Sequence, residues 1–484
     1  MLSYEDDNNP ASHPDSQCKL KIIQRTILSE AQRRVHKSLG AIVKPTQFNP
    51  LTTIKVPRFS DDDFVSAPGN VHSVLRNPDN REIVWDTIIK RGELEDHLLQ
   101  YNRESFRAAA ASTCGGKGVI FDALTFNSLS PAATEFLEGI VPPEWHGGDL
   151  ALKEFLASFC VPESVREQDP IDTTISTDDV IKGFKLWSEG TSTSPSRRHL
   201  GHYKALIQDP QLLQCLTWFL QLLTTRGIAI SRWCNATNVL IEKDAGRPNI
   251  NRLRIVHLFE ADYNFVLKLQ WGHRLIRRAD KLGLLNDGQY GSRPGRTAIE
   301  PVMLLQLTTD LCHILKHNLA RFDNNASACY DRIIVALGML AARRCRMPDS
   351  AVRTHADVLR LMKYTVKTVY GISEGTVFEP LFGTGQGSGA SPSIWLTLVV
   401  LLMNTFERRV PDRMNFTSTD GLIANSHVVD AFVDGTAIGF TDGNGDHTLE
   451  TMILRLQASK GGNSHSNTIY ELNYQFLVSI NHNN

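Results

Sequence analysis

The sequence predicts an α/β (α+β) fold of antiparallel strands packed on helices, and three observations carry that expectation. AFVDGTAIGF, Ala431 to Phe440, reads as two short apolar strands pinched around Asp434-Gly435, the glycine supplying the positive φ that a tight hairpin wants. NATNVLIEKDAGRPNINRLRIVHL reads as two further strands around a polar turn, Asp244 to Asn251. Helical patterning fills much of the remainder. Its last clear instance, Ser393 to Phe406, is apolar nearly all round and is therefore expected to lie buried behind a sheet.

At 484 residues the chain has room for two or three domains and a large core. A hydrophobic fraction of 42%, a charged fraction of 21% and a net charge of -1 exclude a uniformly basic nucleic-acid coat protein but leave local patches open. The acidic, polar start MLSYEDDNNP shows no secretory signal, and the longest apolar run, Ile394 to Met403, is too short to span a bilayer. Eight cysteines without a C-x-x-C pair indicate neither a zinc site nor a disulfide framework. The expectation is a soluble intracellular protein with free thiols and no membrane partner.

Along the chain, residues 1 to about 80 are weakly patterned. They hold a helical stretch near Lys19 to Leu39 and an acidic run, Asp61 to Asp63, that reads as a solvated loop because adjacent side chains diverge. Residues 80 to 165 read as mostly helical. TCGGKG, Thr113 to Gly118, lacks the spacing of a phosphate-cradling loop. IDTTISTDDVIKGFKLW then shows a Ser/Thr-Asp-Asp helix start. EGTSTSPSRRHLGHYKAL places Arg197, Arg198, His199 and Lys204 among small hydroxyls, a mixture that suits a phosphate backbone or simply a capped surface loop.

Lys243, Arg247, Arg252 and Arg254 fall along the hairpin around Asp244 to Asn251. Between Lys182 and Ser350 there are 24 Lys and Arg against 13 Asp and Glu, a local charge of +11 in a near-neutral chain. Such an excess marks either a groove for a polyanion or a solvated basic face. QYGSRPGRTAIEPV, from Gln289, is a Gly/Pro turn carrying Arg293 and Arg296 before a helix. After LARFDNNASACYDRIIVAL a long helical region is expected through Val369. GTGQGSGASPSIWLTLVVLLMNTFERR, Gly383 to Arg409, is a glycine-rich loop running into the apolar helix, and bare backbone N–H groups there would let a nucleotide approach.

Taken in this order, these pieces resemble the reverse transcriptase domain of non-LTR (LINE-like) retrotransposons, from about Glu189 to about Ile480. LRIVHL resembles the fingers strands, and QYGSRPGRT resembles the turn Q-F-G-F-R-x-G-R/x-S/T. Gln386-Gly387 with Ser391-Pro392 fits Q-G-x-x-x-S-P, the Asp434 hairpin sits where the family has Y/F-x-D-D, and Gly461-Gly462 with YELNYQFLVSI resembles the next palm segment. The resemblance implies a right-hand polymerase: a mainly helical extension over 1–165, a fingers-like part over 166–300, and a palm over 301–484 with little or no thumb. It implies RNA template, DNA primer and dNTPs as partners and Mg²⁺ as cofactor. In it Lys243 and Arg254 hold the triphosphate, Gln386 and Gly387 contact the nucleotide, Tyr330 gates the 2′-hydroxyl, and Arg293, Arg296, Arg197 and Arg198 contact nucleic acid.

A two-metal palm needs two carboxylates on adjacent strands, one ion activating the primer 3′-hydroxyl and the other stabilising the leaving pyrophosphate. Here the sequence departs from the family. The metal position six residues before Asp331 holds Asn325, and Asp323 lies two residues early, about 6 to 7 Å along a strand. Gly435 stands where the motif has its second aspartate, and no lysine follows Gly462 where relatives often place one. Asp434 and Asp323 are thus the candidate metal ligands, with Asn325 in a catalytic position it fills poorly. Losing one carboxylate should cost on the order of a thousandfold in rate. The expected function is an impaired RNA-directed DNA polymerase, with a catalytically dead nucleic-acid-binding protein as the alternative.

Overall fold

Among the described residues the chain forms a five-stranded sheet, a four-stranded sheet, two two-stranded sheets and the helices between them. The computed structural model describes residues 51–57, 85–107, 118–188, 196, 198–315, 319–326, 329–378, 383–409, 414–417, 424–427, 429–433, 435–441 and 474–480. The helix expected near Lys19 to Leu39, the Asp61 to Asp63 run, most of the Thr113 to Gly118 loop, Arg197 and Asp434 lie outside the described residues.

Strand β1, Ile54–Pro57, pairs antiparallel with β2, Trp85–Ile88. The larger sheet is built on β3, Asn235–Glu242, and β4, Leu253–Leu258, antiparallel as the apolar runs around the Asp244 turn predict. In β4 the alternation is explicit: Leu253, Ile255 and His257 are buried while Arg254 faces solvent. Strand β5, Leu319–Ala326, belongs to the second sheet. Strand β6, Lys363–Thr368, runs parallel to β3 and also pairs with β7, Gly371–Ile372, and β8, Val377–Phe378.

The chain is not helical through Val369, although its sequence suggests it. The helix Asp349–Arg360 ends there, and KYTVKT alternates buried Tyr364, Val366 and Thr368 with more accessible residues. Tyr364, Val366 and Thr368 at period two fit a pleated surface better than a helix, and the parallel partner β3 supplies the ladder.

The remaining strands are β9, Met414–Thr417, paired with β10, Ala424–His427; then β11, Val429–Phe432, β12, Gly435–Thr441, and β13, Tyr474–Ile480. Strands β11 and β12 form the expected hairpin, and the second sheet has the order β11-β12-β5-β13, antiparallel throughout. The chain is thus a mixed helix-and-sheet protein.

The helices follow their end signals. Ser176 and Asp179 form a reciprocal capping box at the start of Thr177–Leu186. Asp209 caps Pro210–Arg226, and Gly227 closes it in the left-handed conformation. Between Ala261–Leu267 and Ile276–Lys281 the helix passes through a π-helical stretch, Lys268–Leu275. The apolar helix spans Ser391–Arg409. Ile394, Leu396, Val400, Leu401 and Met403 are buried, and Met403 and Phe406 pack against Val429 and Ala431 of β11.

Residues Pro50–Asn484 form one compact unit. Leu94, Leu98 and Phe106 of the Arg91–Arg107 helix share one core with Trp233, Leu240, Trp271 and Leu401, so this core runs through both expected boundaries, near 165 and near 300. Among the described residues, no helix is long and apolar enough to cross a membrane.

Candidate functional site

Strand β5 is the middle of the second sheet, and its register fixes what can face the hairpin. Gly435 lies opposite Asn325 and Ala437 opposite Asp323 on the β12 side, while Gln475 and Leu477 of β13 lie opposite them on the other. The hairpin expected at Asp434 is therefore next to the strand expected to carry its partner. Asp434 itself lies outside the described residues, between Val433, which has φ 57, and the first residue of β12. The Trp395 indole donates to the Val433 carbonyl at 2.6 Å and so ties this turn to the apolar helix.

The QYGSRPGRT turn packs on the other side of the hairpin. Tyr290 N–H donates to the Ala431 carbonyl at 2.9 Å, and Ala431 N–H to the Gly288 carbonyl at 2.8 Å. The glycines permit this approach: a Cβ at Gly288 would stand 2.1 Å from the Val429 carbonyl oxygen, and one at Gly291 2.2 Å from the Val433 nitrogen. Arg293 is largely buried and bonded to Asp280 at 2.8 Å and to the Asn286 carbonyl at 3.0 Å. Arg296 lies over the Tyr290 ring and bridges Glu300 at 3.0 Å. Both arginines of this turn, expected to contact nucleic acid, thus carry intramolecular ion pairs. Arg198 is exposed, at the foot of the Leu200–Leu206 helix.

Past β5 the chain forms one tight turn, Cys329–Arg332, and here the glycine-rich loop docks. Thr384 N–H donates to the Tyr330 carbonyl at 2.9 Å, and a Cβ at Gly383 would meet the Asp331 carbonyl oxygen at 2.4 Å. Tyr330 is half-buried at this junction. The loop is held equally firmly to β4. His257 N–H donates to the Gln386 carbonyl at 2.7 Å, and Asn264 bonds both the Gly387 carbonyl and the Gly389 N–H, at 3.1 and 2.7 Å. Gly387, with φ 105, is exposed, and any Cβ there would strike the His257 carbonyl. The Ser391 hydroxyl donates to the Thr384 and Gly385 carbonyls, so the loop is closed on itself as well.

Beneath this loop Asp331 is buried, and its carboxylate accepts a hydrogen bond from the Gln386 amide at 3.3 Å. Burial pushes the Asp331 carboxyl up to about 7, while Gln386, Arg332 and Lys243 pull the other way. Tyr101, whose hydroxyl donates to the Leu253 carbonyl at 3.3 Å, is pushed up to about 12 by burial and by the Asp331 charge. In the sequence Asp331 serves only to set the register, and nothing there points to Tyr101. No local pattern links Tyr101 to a turn that lies more than two hundred residues further along the chain.

Lys243 and Arg254 stand at the turn end of the β3–β4 hairpin, exposed and, among the described residues, without a salt bridge, whereas neighbouring Arg252 is paired with Asp244 at 2.8 Å. Lys243 is exposed by residue area, yet its ammonium is partly desolvated. That desolvation, then the charges of Arg254 and Arg252, hold its ammonium below the usual lysine range, while Asp331 and Asp244 act in the opposite sense. An anion arriving here would relieve the mutual repulsion of these cations.

A pair of divalent ions needs carboxylates on neighbouring strands, and the donor set on β5 does not fit. Asn325, opposite Gly435, offers a neutral amide, and Asp323 is displaced by two register positions. Among the described residues, no three His, Cys, Asp or Glu side chains converge to hold a metal ion. No family model matches the chain, and no curated protein matches it.

Proposed function

We propose that this chain is a retrotransposon-derived, reverse-transcriptase-like protein of palm and fingers that binds an RNA template paired with a DNA primer, and that its nucleotidyl transfer is impaired. The observation that carries this reading is the register between β12 and β5, which sets Gly435 against Asn325 where a palm would need carboxylates. The docking of the Gln386 loop between β4 and the Tyr330–Asp331 turn supports it, because this brings the proposed fingers and palm residues to one place. Lys243 and Arg254, exposed and without a salt bridge among the described residues, are the cations we assign to a triphosphate or backbone phosphate.

Asn325 and Gly435 favour the second reading as well, a nucleic-acid-binding protein without chemistry. Both make the same first prediction: labelled RNA–DNA primer–template binds, and Lys243→Ala with Arg254→Ala weakens it. They part on extension by the wild-type chain with dNTPs and Mg²⁺ or Mn²⁺. Slow extension lost in Asp323→Asn would assign residual activity to a shifted Asp323, as a bulge in β5 would permit. Complete inactivity with retained binding selects the pseudoenzyme. Absence of binding at low salt sinks both.

A further inference from the structure

The helix Pro210–Arg226 is apolar on two opposite sides. Leu213, Leu220 and Leu223 are buried on the side that packs on the helices Thr177–Leu186 and Asp349–Arg360. The other side lies in water although it is equally apolar. Leu212, Trp218, Phe219 and Leu222 are 52%, 66%, 41% and 54% exposed there, and Cys215 is exposed among them. No residue from Pro210 to Thr225 is charged, whereas the outward side of a surface helix ordinarily carries charge.

Leu212, Cys215, Phe219 and Leu222 follow one another at steps of three, four and three, and Trp218 flanks them. This is the spacing of a coiled-coil seam, whose natural cover is a second helix. The seam is complementary to itself. In an antiparallel pair about a two-fold axis at the level of Thr217, Leu212 of one copy meets Leu222 of the other, and Cys215 meets Phe219. The ends agree with this direction. Asp209 caps the start of the helix and Arg226 is its last residue, both exposed, so antiparallel pairing brings acid near base at each end. Parallel pairing would bring like charges together. On side-chain areas of roughly 150–250 Å², the four exposed apolar residues leave about 400–500 Å² in water. With a polar rim from Gln211, Thr225 and Arg226, the face approaches the roughly 800 Å² per partner of a stable interface.

We propose that two copies of this chain associate in solution through the outward face of the Pro210–Arg226 helix, antiparallel about a two-fold axis at the level of Thr217. The association is independent of the polymerase reading, because it uses none of the residues assigned to nucleic acid.

Sedimentation equilibrium of the full chain between about 1 and 100 µM tests it, with the rate of maleimide labelling at Cys215 followed by peptide mass over the same range. The wild type should approach twice the monomer mass, and Cys215 labelling should slow at least about tenfold as the dimer fills. Leu222→Asp and Leu212→Arg, each at a position more than half exposed in the single chain, should each weaken association about a hundredfold. Combined in one chain, the two substitutions face each other across the two-fold and should restore the dimer at low salt to within about tenfold of the wild type. A wild type that stays monomeric throughout, or a dimer in which Cys215 labels as fast as in the monomer, would overturn the proposal, and both readings use the unaltered chain. Folded single variants that still dimerise like the wild type would overturn it too, and so would a folded double variant that remains monomeric.

Discussion

At Asp331, burial opposes charge, and the outcome can be read in stability. Its carboxyl is pushed up to about 7 in the folded chain, whereas in the unfolded chain it titrates near 4. Between those values the unfolded chain releases this proton and the folded chain retains it. The group's contribution is therefore fully present below about pH 4 and is lost as pH rises through about 7. Asp331→Asn, which keeps an acceptor for Gln386, should match the wild type in urea midpoint near pH 4 and exceed it at pH 8. The gap should be on the order of a few kcal/mol. Parallel pH profiles for the two proteins would show that Asp331 is not held protonated. At this scale the sequence is partly legible: counting back six residues from Asp331 leads to position 325. The Tyr101 contact is not, because it depends on a helix packing across the whole fold.

Among elements, strands with their own alternation and turn chemistry were readable, and those defined by distant partners were not. The β3–β4 and β11–β12 hairpins announce themselves through apolar runs around Asp244 and Asp434-Gly435. Strand β6 does not, because its ladder to β3 joins segments more than a hundred residues apart, and the helix ending at Arg360 runs almost into it. The contact between the QYGSRPGRT turn and β11 is equally non-local, although Gly288 and Gly291 were visible in the sequence. Gly288→Ala tests it. A Cβ 2.1 Å from a backbone oxygen cannot be accommodated by a rotamer change, so the turn must separate from β11. We expect a loss of roughly 1–3 kcal/mol in unfolding free energy by urea titration, and slowly exchanging amides at Tyr290 and Ala431 becoming fast. A wild-type exchange pattern in the variant would mean the turn does not dock as described.

For the whole molecule, one core and one charge imbalance set the behaviour. Leu94, Leu98 and Phe106 are essentially fully buried in the shared core, so a chain beginning at residue 118 should not fold cooperatively; a sharp thermal transition in that truncation would show a separable extension after all. On the proposed function, the local charge of +11 between Lys182 and Ser350 predicts a primer–template affinity that falls steeply with salt, since bound phosphates release counterions. Arg293 and Arg296 already spend their charge on Asp280 and Glu300, so alanine at either should weaken binding less than alanine at Lys243 or Arg254. A salt-independent affinity, or an equal effect at all four positions, would contradict this division. The central claim is that a palm register has lost its carboxylate at position 325, and primer extension on an RNA template by the wild type, Asn325→Asp and Asn325→Asp with Asp434→Asn tests it most directly. The account predicts little or no product from the wild type, partial recovery in Asn325→Asp, and loss of that recovery when Asp434 is also replaced; vigorous wild-type extension that persists in Asp434→Asn would contradict it.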